Sequence, residues 1–124
     1  MNCSEYKVIQ GKISILLSAP HVYAHRRPRL NMAYKHGEPL TDHIVDGVCK
    51  GIECFGIYTC EDTEYDPNFH KEDDNPYKKE IVNIVKDNKI KCVLDIHGLK
   101  DDNMYDIGIY YPTKFLRSRS IAMK

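Results

Sequence analysis

Eight consecutive residues, Lys12–Ala19, read KISILLSA before Pro20 stops the run. A continuous apolar stretch of this length, rich in β-branched isoleucine, predicts a strand buried on both faces rather than one with a wet side. A strand of that kind needs apolar cover above and below it, which a chain of 124 residues can supply within one domain. Hydrophobic residues make up 42% of the chain and charged residues 29%, which excludes disorder throughout.

The rest of the pattern supplies the cover. Tyr6–Ile9 predicts a shorter strand, joined to the first run by a turn at Gln10 and Gly11. Residues 22–37 are polar and irregular and hold Arg26, Arg27 and Arg29. Pro39 suits the first position of a helix, and Leu40, Ile44, Val45, Val48 and Ile52 form an apolar stripe along it, with Gly51 near its end. Cys54–Thr59 predicts a strand. Glu61–Asn75 carries seven acidic residues in fifteen and reads as a solvated loop. Asn75 and Pro76 form a cap and a first-position proline for a second helix, whose stripe is Tyr77, Ile81, Ile84 and Val85 and whose end lies near Asn88. Ile90–Ile96 predicts another buried strand and Tyr105–Tyr111 a further one. Strands alternating with helices imply an α/β domain with a mostly parallel sheet and helices packed on its faces.

Charge and cysteine content narrow the function. Eighteen basic and eighteen acidic residues balance, so the basic excess of a nucleic-acid binder is missing. No apolar run approaches the ~20 residues of a membrane span. Met1–Gln10 is polar and has no signal-peptide core, so a cytoplasmic address is expected. Five cysteines, an odd number and without a C-x-x-C pair, argue against a disulfide framework or a four-thiolate zinc site.

Ligands of parallel sheets gather at the carboxyl ends of the strands. His21 follows the KISILLSAP strand and His97 ends KCVLDIH, so both emerge at one edge of such a sheet. Two imidazoles and a carboxylate make a catalytic zinc set with an open fourth position, and Glu38, before the first helix, is the candidate carboxylate. The plainer alternatives stand beside this: strand-end histidines bonding at the surface, and a Glu38 that favours a helix N-terminus. Asp95, two residues before His97, can orient a ligand imidazole or hold a water. An acid inside an apolar strand implies a partner. The arginine trio can grip a carboxylate or phosphate, or be a solvated loop. His25, His36, His43 and His70 read as ordinary surface groups. The Asp62, Glu64, Asp66 spacing begins like a calcium loop, but Pro67 stands where the glycine of the sharp turn belongs. No G-x-S-x-G, phosphate loop or G-x-G-x-x-G occurs.

Ser18-Ala19-Pro20-His21 after a buried strand, Glu38-Pro39-Leu40-Thr41-Asp42 opening a helix, and Asp95-Ile96-His97-Gly98 together resemble the N-formylglutamate amidohydrolase-like family. The resemblance runs from about Lys12 to Tyr110. It implies a three-layer αβα fold of the phosphorylase/hydrolase kind, related to zinc carboxypeptidases, and zinc-dependent hydrolysis of a small amide such as an N-acyl or N-formyl amino acid. It implies His21, Glu38 and His97 as ligands of Zn2+ or another divalent metal. The family's Asp-x-Asn-Arg-type stretch, whose Asn and Arg would hold a substrate carboxylate, reads Asp66-Pro67-Asn68-Phe69 here. Asn68 and Arg27 are therefore the substrate-binding candidates. Related peptidases place a general-base glutamate late in the chain. The acids nearest His97 in sequence are Asp95, Asp101, Asp102 and Asp106, with Asp95 the catalytic candidate. The partner expected is a small amide or carboxylate, with neither nucleic acid nor membrane. The other class of reading is a non-catalytic metal-binding or interaction module that keeps the fold, with another copy of the chain covering an open sheet edge as a homo-oligomer.

Overall fold

The computed structural model describes residues 4–27, 34–68, 70–99 and 108. The order is β1 (Tyr6–Ile9), β2 (Ile13–Ala19), α1 (Thr41–Ile52), β3 (Cys54–Thr59), a single 3-10 turn (Glu72–Asp74), α2 (Pro76–Asp87) and β4 (Cys92–Asp95). The expected strand over Tyr105–Tyr111, and Asp101, Asp102 and Asp106, lie outside the described residues.

The protein is a small α/β domain with a mixed four-stranded sheet ordered β1-β3-β2-β4. β2 runs parallel to both β3 and β4, and β1 runs antiparallel to β3. Every residue of β3 is buried, as are Leu16, Leu17, Ser18 and Ala19 of β2. Neighbouring residues of a strand point to opposite faces, and the core divides accordingly. Leu17, Ala19, Cys54 and Tyr58 pack with Val45 and Cys49 of α1. Leu16, Phe55 and Ile57 pack with Tyr77 and Ile84 of α2. Gly56 permits the first contact: a Cβ there would stand 2.8 Å from Cys49 Sγ and 2.9 Å from Val45 Cγ1.

Two sequence expectations need correction. The buried face of α1 is Thr41, Val45 and Cys49, whereas Leu40, Ile44, Val48 and Ile52 are exposed. The apolar period is helical, but close approach at Gly56 selects the arc carrying Val45 and Cys49. Pro39 precedes the helix, with Leu40 at the cap in the left-handed region (φ 72°), and Glu53 rather than Gly51 takes the left-handed conformation that closes it. The second correction concerns Ile90–Ile96. β4 is shorter and is the last strand of the sheet among the described residues, with Val93 42% and Leu94 45% exposed. Asn75 caps α2 as expected, its side chain accepting the Lys78 N–H. Among the described residues no helix is long and apolar enough to cross a membrane.

Candidate metal centre

β2 and β4 are paired and parallel, so their carboxyl ends are neighbours. The ladder runs on past them, with Ile96 N–H donating to Ser18 O at 2.7 Å. His21 and His97 therefore leave the sheet side by side, their ring centroids 5.2 Å apart.

The segment after β2 fixes the rest. It turns and bends over residues 20–23 and is bonded on two sides. His25 exchanges backbone bonds with Lys35 at 3.1 and 2.8 Å, and Glu38 N–H donates to His21 O at 2.6 Å. On the other flank Thr63 N–H donates to Ala24 O and Arg26 N–H to Thr63 O, each at 3.0 Å. Residues 34–38 thus bring Glu38 to one side of His21, and residues 61–66 bring Asp66 to the other. Gly37 is required for the first approach, because a Cβ would fall 2.4 Å from the Val22 carbonyl oxygen.

Glu38 spans both histidines. Its Oε1 is 3.7 Å from His21 Nδ1 and its Oε2 is 3.1 Å from His97 Nδ1. Gly98 N–H also donates to Oε2 at 3.1 Å. One donor atom each from His21, Glu38 and His97 lie within 4.8 Å of one another. The ring nitrogens on the far side have partners too. His21 Nε2 is 2.8 Å from Asp66 Oδ1, and His97 Nε2 is 3.3 Å from the Asn68 amide. Metal-ligating imidazoles are held in this way, the outer partner fixing ring orientation and tautomer. His21 and Asp66 are 4% and 1% exposed, whereas Glu38 is 21% and His97 37% exposed, so the cluster is deep at one end and open to solvent at the other.

Charge follows the bonding. Burial raises the Glu38 carboxyl, but the bonds from His21, His97 and the Gly98 N–H outweigh it and hold it well below the usual carboxylate range. Burial likewise raises Asp66, and the His21 bond, the Asn68 N–H and the nearby imidazoles more than reverse it. Burial lowers His21, yet its bonds to Asp66 and Glu38 carry it above its ordinary value. Burial and the His21 charge both lower His25. The centre thus sets His21 between two carboxylates, an arrangement in which a cation can take the place of a ring proton.

Comparison with known protein families, with curated proteins and with solved structures gives no match for this chain. The site is therefore read from its own geometry.

The structure brings together His21, Glu38 and His97 and adds Asn68 to them. Arg27 reaches the same place by another route, donating from Nε to Asp66 Oδ2 at 3.2 Å, so the carboxylate it grips is the protein's own. Asp95 is the correction. It is exposed on β4, aligned with Ser18, and makes no side-chain hydrogen bond or ion pair among the described residues. Because Asp95 is exposed, it needs no buried partner.

Two residues were missed. Asp66 reads as part of a solvated acidic loop but is fully enclosed, its carboxylate also accepting the Asn68 N–H at 3.0 Å. That bond is an Asx turn, a geometry open to Asp followed by Pro67 and Asn68. His25 reads as a surface group but is 1% exposed and stacked on His21, with ring centroids 3.9 Å apart. No sequence signal marks the pair: the chain turns and bends between the two histidines, and that reversal stacks their rings.

Proposed function

We propose that the chain is a metal-dependent hydrolase of a small amide, with His21, Glu38 and His97 holding Zn2+ or a similar divalent metal. The observation that carries this is the convergence of two imidazole nitrogens and a carboxylate at the shared end of two parallel strands, each imidazole braced from behind. The donor set fits zinc, since catalytic zinc takes three protein ligands of this kind and leaves a position open. When bound there, the metal supplies Lewis acidity toward an amide carbonyl and an acidified water.

The chain's own groups have separable tasks. Asp66 orients His21 so that Nδ1 faces the ligand cluster. Asn68 sets the ring of His97 through its amide Nδ2, 3.3 Å from Nε2, and a metal on Nδ1 calls for the amide to turn and present Oδ1 to the Nε2 proton. The exposed side of His97 gives a substrate access, and the Asn68 side chain stands beside it to contact the acyl amino acid. Arg27 moderates the negative charge of Asp66. The placement of α1 and α2 contacts in separate core clusters supports a three-layer reading of the fold, and the parallel β3-β2-β4 core supports the amidohydrolase-like resemblance.

The position of Asp95 favours a second reading. Its carboxylate is exposed beside Ser18 rather than within the histidine cluster, so it is poorly placed to move a proton there. A metal-binding module without catalysis needs no such group. Elemental analysis of the purified protein, followed by assay of zinc-loaded protein on a panel of N-acyl and N-formyl amino acids, separates the readings. Hydrolysis that is lost in His97→Ala supports the enzyme. Stoichiometric zinc with no hydrolysis across the panel refutes the enzyme and leaves the module.

A further inference from the structure

His25 is 1% exposed, and neither Nδ1 nor Nε2 has a hydrogen-bond partner among the described residues. A buried polar group left unpaired costs about 1–3 kcal/mol, and native proteins keep few such groups without a reason. The ring is also far from casual in its placement. It lies parallel to His21 within 10°, and its Nε2 is 3.6 Å from Asp66 Oδ2, so a turn of one ring out of the stack, bringing its in-plane lone pair round, is what joint ligation of one ion by both imidazoles requires. Asp66 Oδ1 meanwhile meets Nε2 of His21, the nitrogen turned away from Glu38 and His97. One donor atom each from His21, His25 and Asp66 lie within 4.8 Å of one another, and all three residues are buried.

We propose that His21, His25 and Asp66 form a second, interior cation site that shares His21 with the outer cluster and is filled as an alternative to it. Two imidazole nitrogens and one carboxylate select a borderline-soft divalent ion such as zinc, cobalt or nickel over magnesium or calcium, which take oxygen ligands. The exclusivity follows from the chemistry of His21. A neutral imidazole has one lone pair and one N–H. The outer cluster uses the lone pair on Nδ1, and the interior one uses it on Nε2. Switching the metal between the two positions therefore requires a change of His21 tautomer, and Asp66 changes from acceptor of the ring proton to ligand. His25, idle while the outer position is filled, becomes the ligand that completes the inner one. The site stands on its own donors and does not depend on the chain being a hydrolase.

Cobalt reports the coordination directly through its visible absorption, with no need for activity. The outer site is removed with His97→Ala, and Co2+ is titrated into this variant, into the parent and into the double variants His25→Ala/His97→Ala and His25→Gln/His97→Ala. Circular dichroism and thermal melts certify folding. The expected result is one bound Co2+ in the parent and one in His97→Ala. Each double variant should then bind at least tenfold more weakly than His97→Ala, since losing a ligand outweighs the ~10–100-fold cost of losing an outer partner. In 15N-histidine spectra of His97→Ala, Zn2+ should shift the His25 ring nitrogens. Folded His97→Ala that binds no Co2+ overturns the proposal, and so do double variants that bind as well as His97→Ala, or two cobalt ions held at once by the parent. A parent that loses cobalt on His25→Ala but not on His97→Ala would support the interior site while removing the outer one.

Discussion

Asn75 is buried at 0% exposure and performs two separable tasks. Its Oδ1 accepts the Lys78 N–H at 2.9 Å, capping α2. Its Nδ2 donates to the carbonyls of Pro67 at 2.8 Å and His70 at 3.2 Å, clipping the loop that carries Asp66 to the start of the helix. Replacement by alanine removes both. Loss of the cap costs about 1 kcal/mol. Loss of the clip leaves the enclosed Pro67 carbonyl without this donor, about 1–3 kcal/mol more. Asn75→Ala should therefore destabilise by about 2–4 kcal/mol, a large part of the ~5–15 kcal/mol that holds a domain together. Serine caps about as well as asparagine but cannot reach the loop carbonyls, so Asn75→Ser should show the clip alone, about 1–3 kcal/mol. Urea unfolding serves as the assay, followed by tyrosine fluorescence, since the chain has nine tyrosines and no tryptophan. The same variants should bind zinc more weakly, because Asp66 is no longer held against His21. A serine variant as stable as the parent, beside an alanine variant that loses the full amount, would assign everything to the cap and refute the clip.

Leu16→Ala should cost about 2–5 kcal/mol, whereas Leu94→Ala, on a half-exposed residue, should cost less than about 1.5 kcal/mol; equal shifts in urea midpoint would contradict the exposure of Leu94. Gly37→Val must displace backbone at Val22, so zinc affinity should fall at least tenfold, on the scale of a lost outer partner; unchanged affinity by chelator competition would show that Glu38 is not held through this contact. Burial first, then the Cys54 contact and the Asp46 charge, push the Cys49 thiol up to about 12. Thiolate is the reactive form, so Cys49 should resist a disulfide exchange reagent at mildly alkaline pH until urea unfolds the chain, and rapid labelling in the native state, located by mass spectrometry, would refute its enclosure. Chelator dialysis of zinc-loaded protein should lower the melting temperature, and zinc at about 100 times its dissociation constant should restore about 2.7 kcal/mol.

Much of the frame was legible because it rests on local signals. The apolar runs gave β1, β2 and β3 closely, and Asn75 with Pro76 gave the start of α2. The strand-end rule found His21 and His97 and their common edge. The face of α1 was not legible, since periodicity finds a stripe but not which side meets Gly56. The exposure of β4 was equally hidden: its residues read as a buried strand, and only the pairing order shows it last in the sheet among the described residues. Asp66 and His25 were missed for one reason. Both sit in stretches whose composition is that of solvated loops, and their burial comes from hydrogen bonds between segments far apart in the chain.

Those long-range bonds give the site a place in time as well as in space. The His21–Asp66 bond closes 45 residues of chain and the Glu38–His97 bond closes 59. Contacts of such separation demand the loop-closure entropy of most of the domain before they return any stabilisation. Neither helix nor any hairpin can assemble the ligands by itself. Metal capture should therefore follow the main folding phase, so that zinc added during refolding slows unfolding more than it speeds folding. The centre would act as a lock fitted to a finished door, admitting metal only to chains whose strands, Glu38 segment and acidic loop have all reached their places.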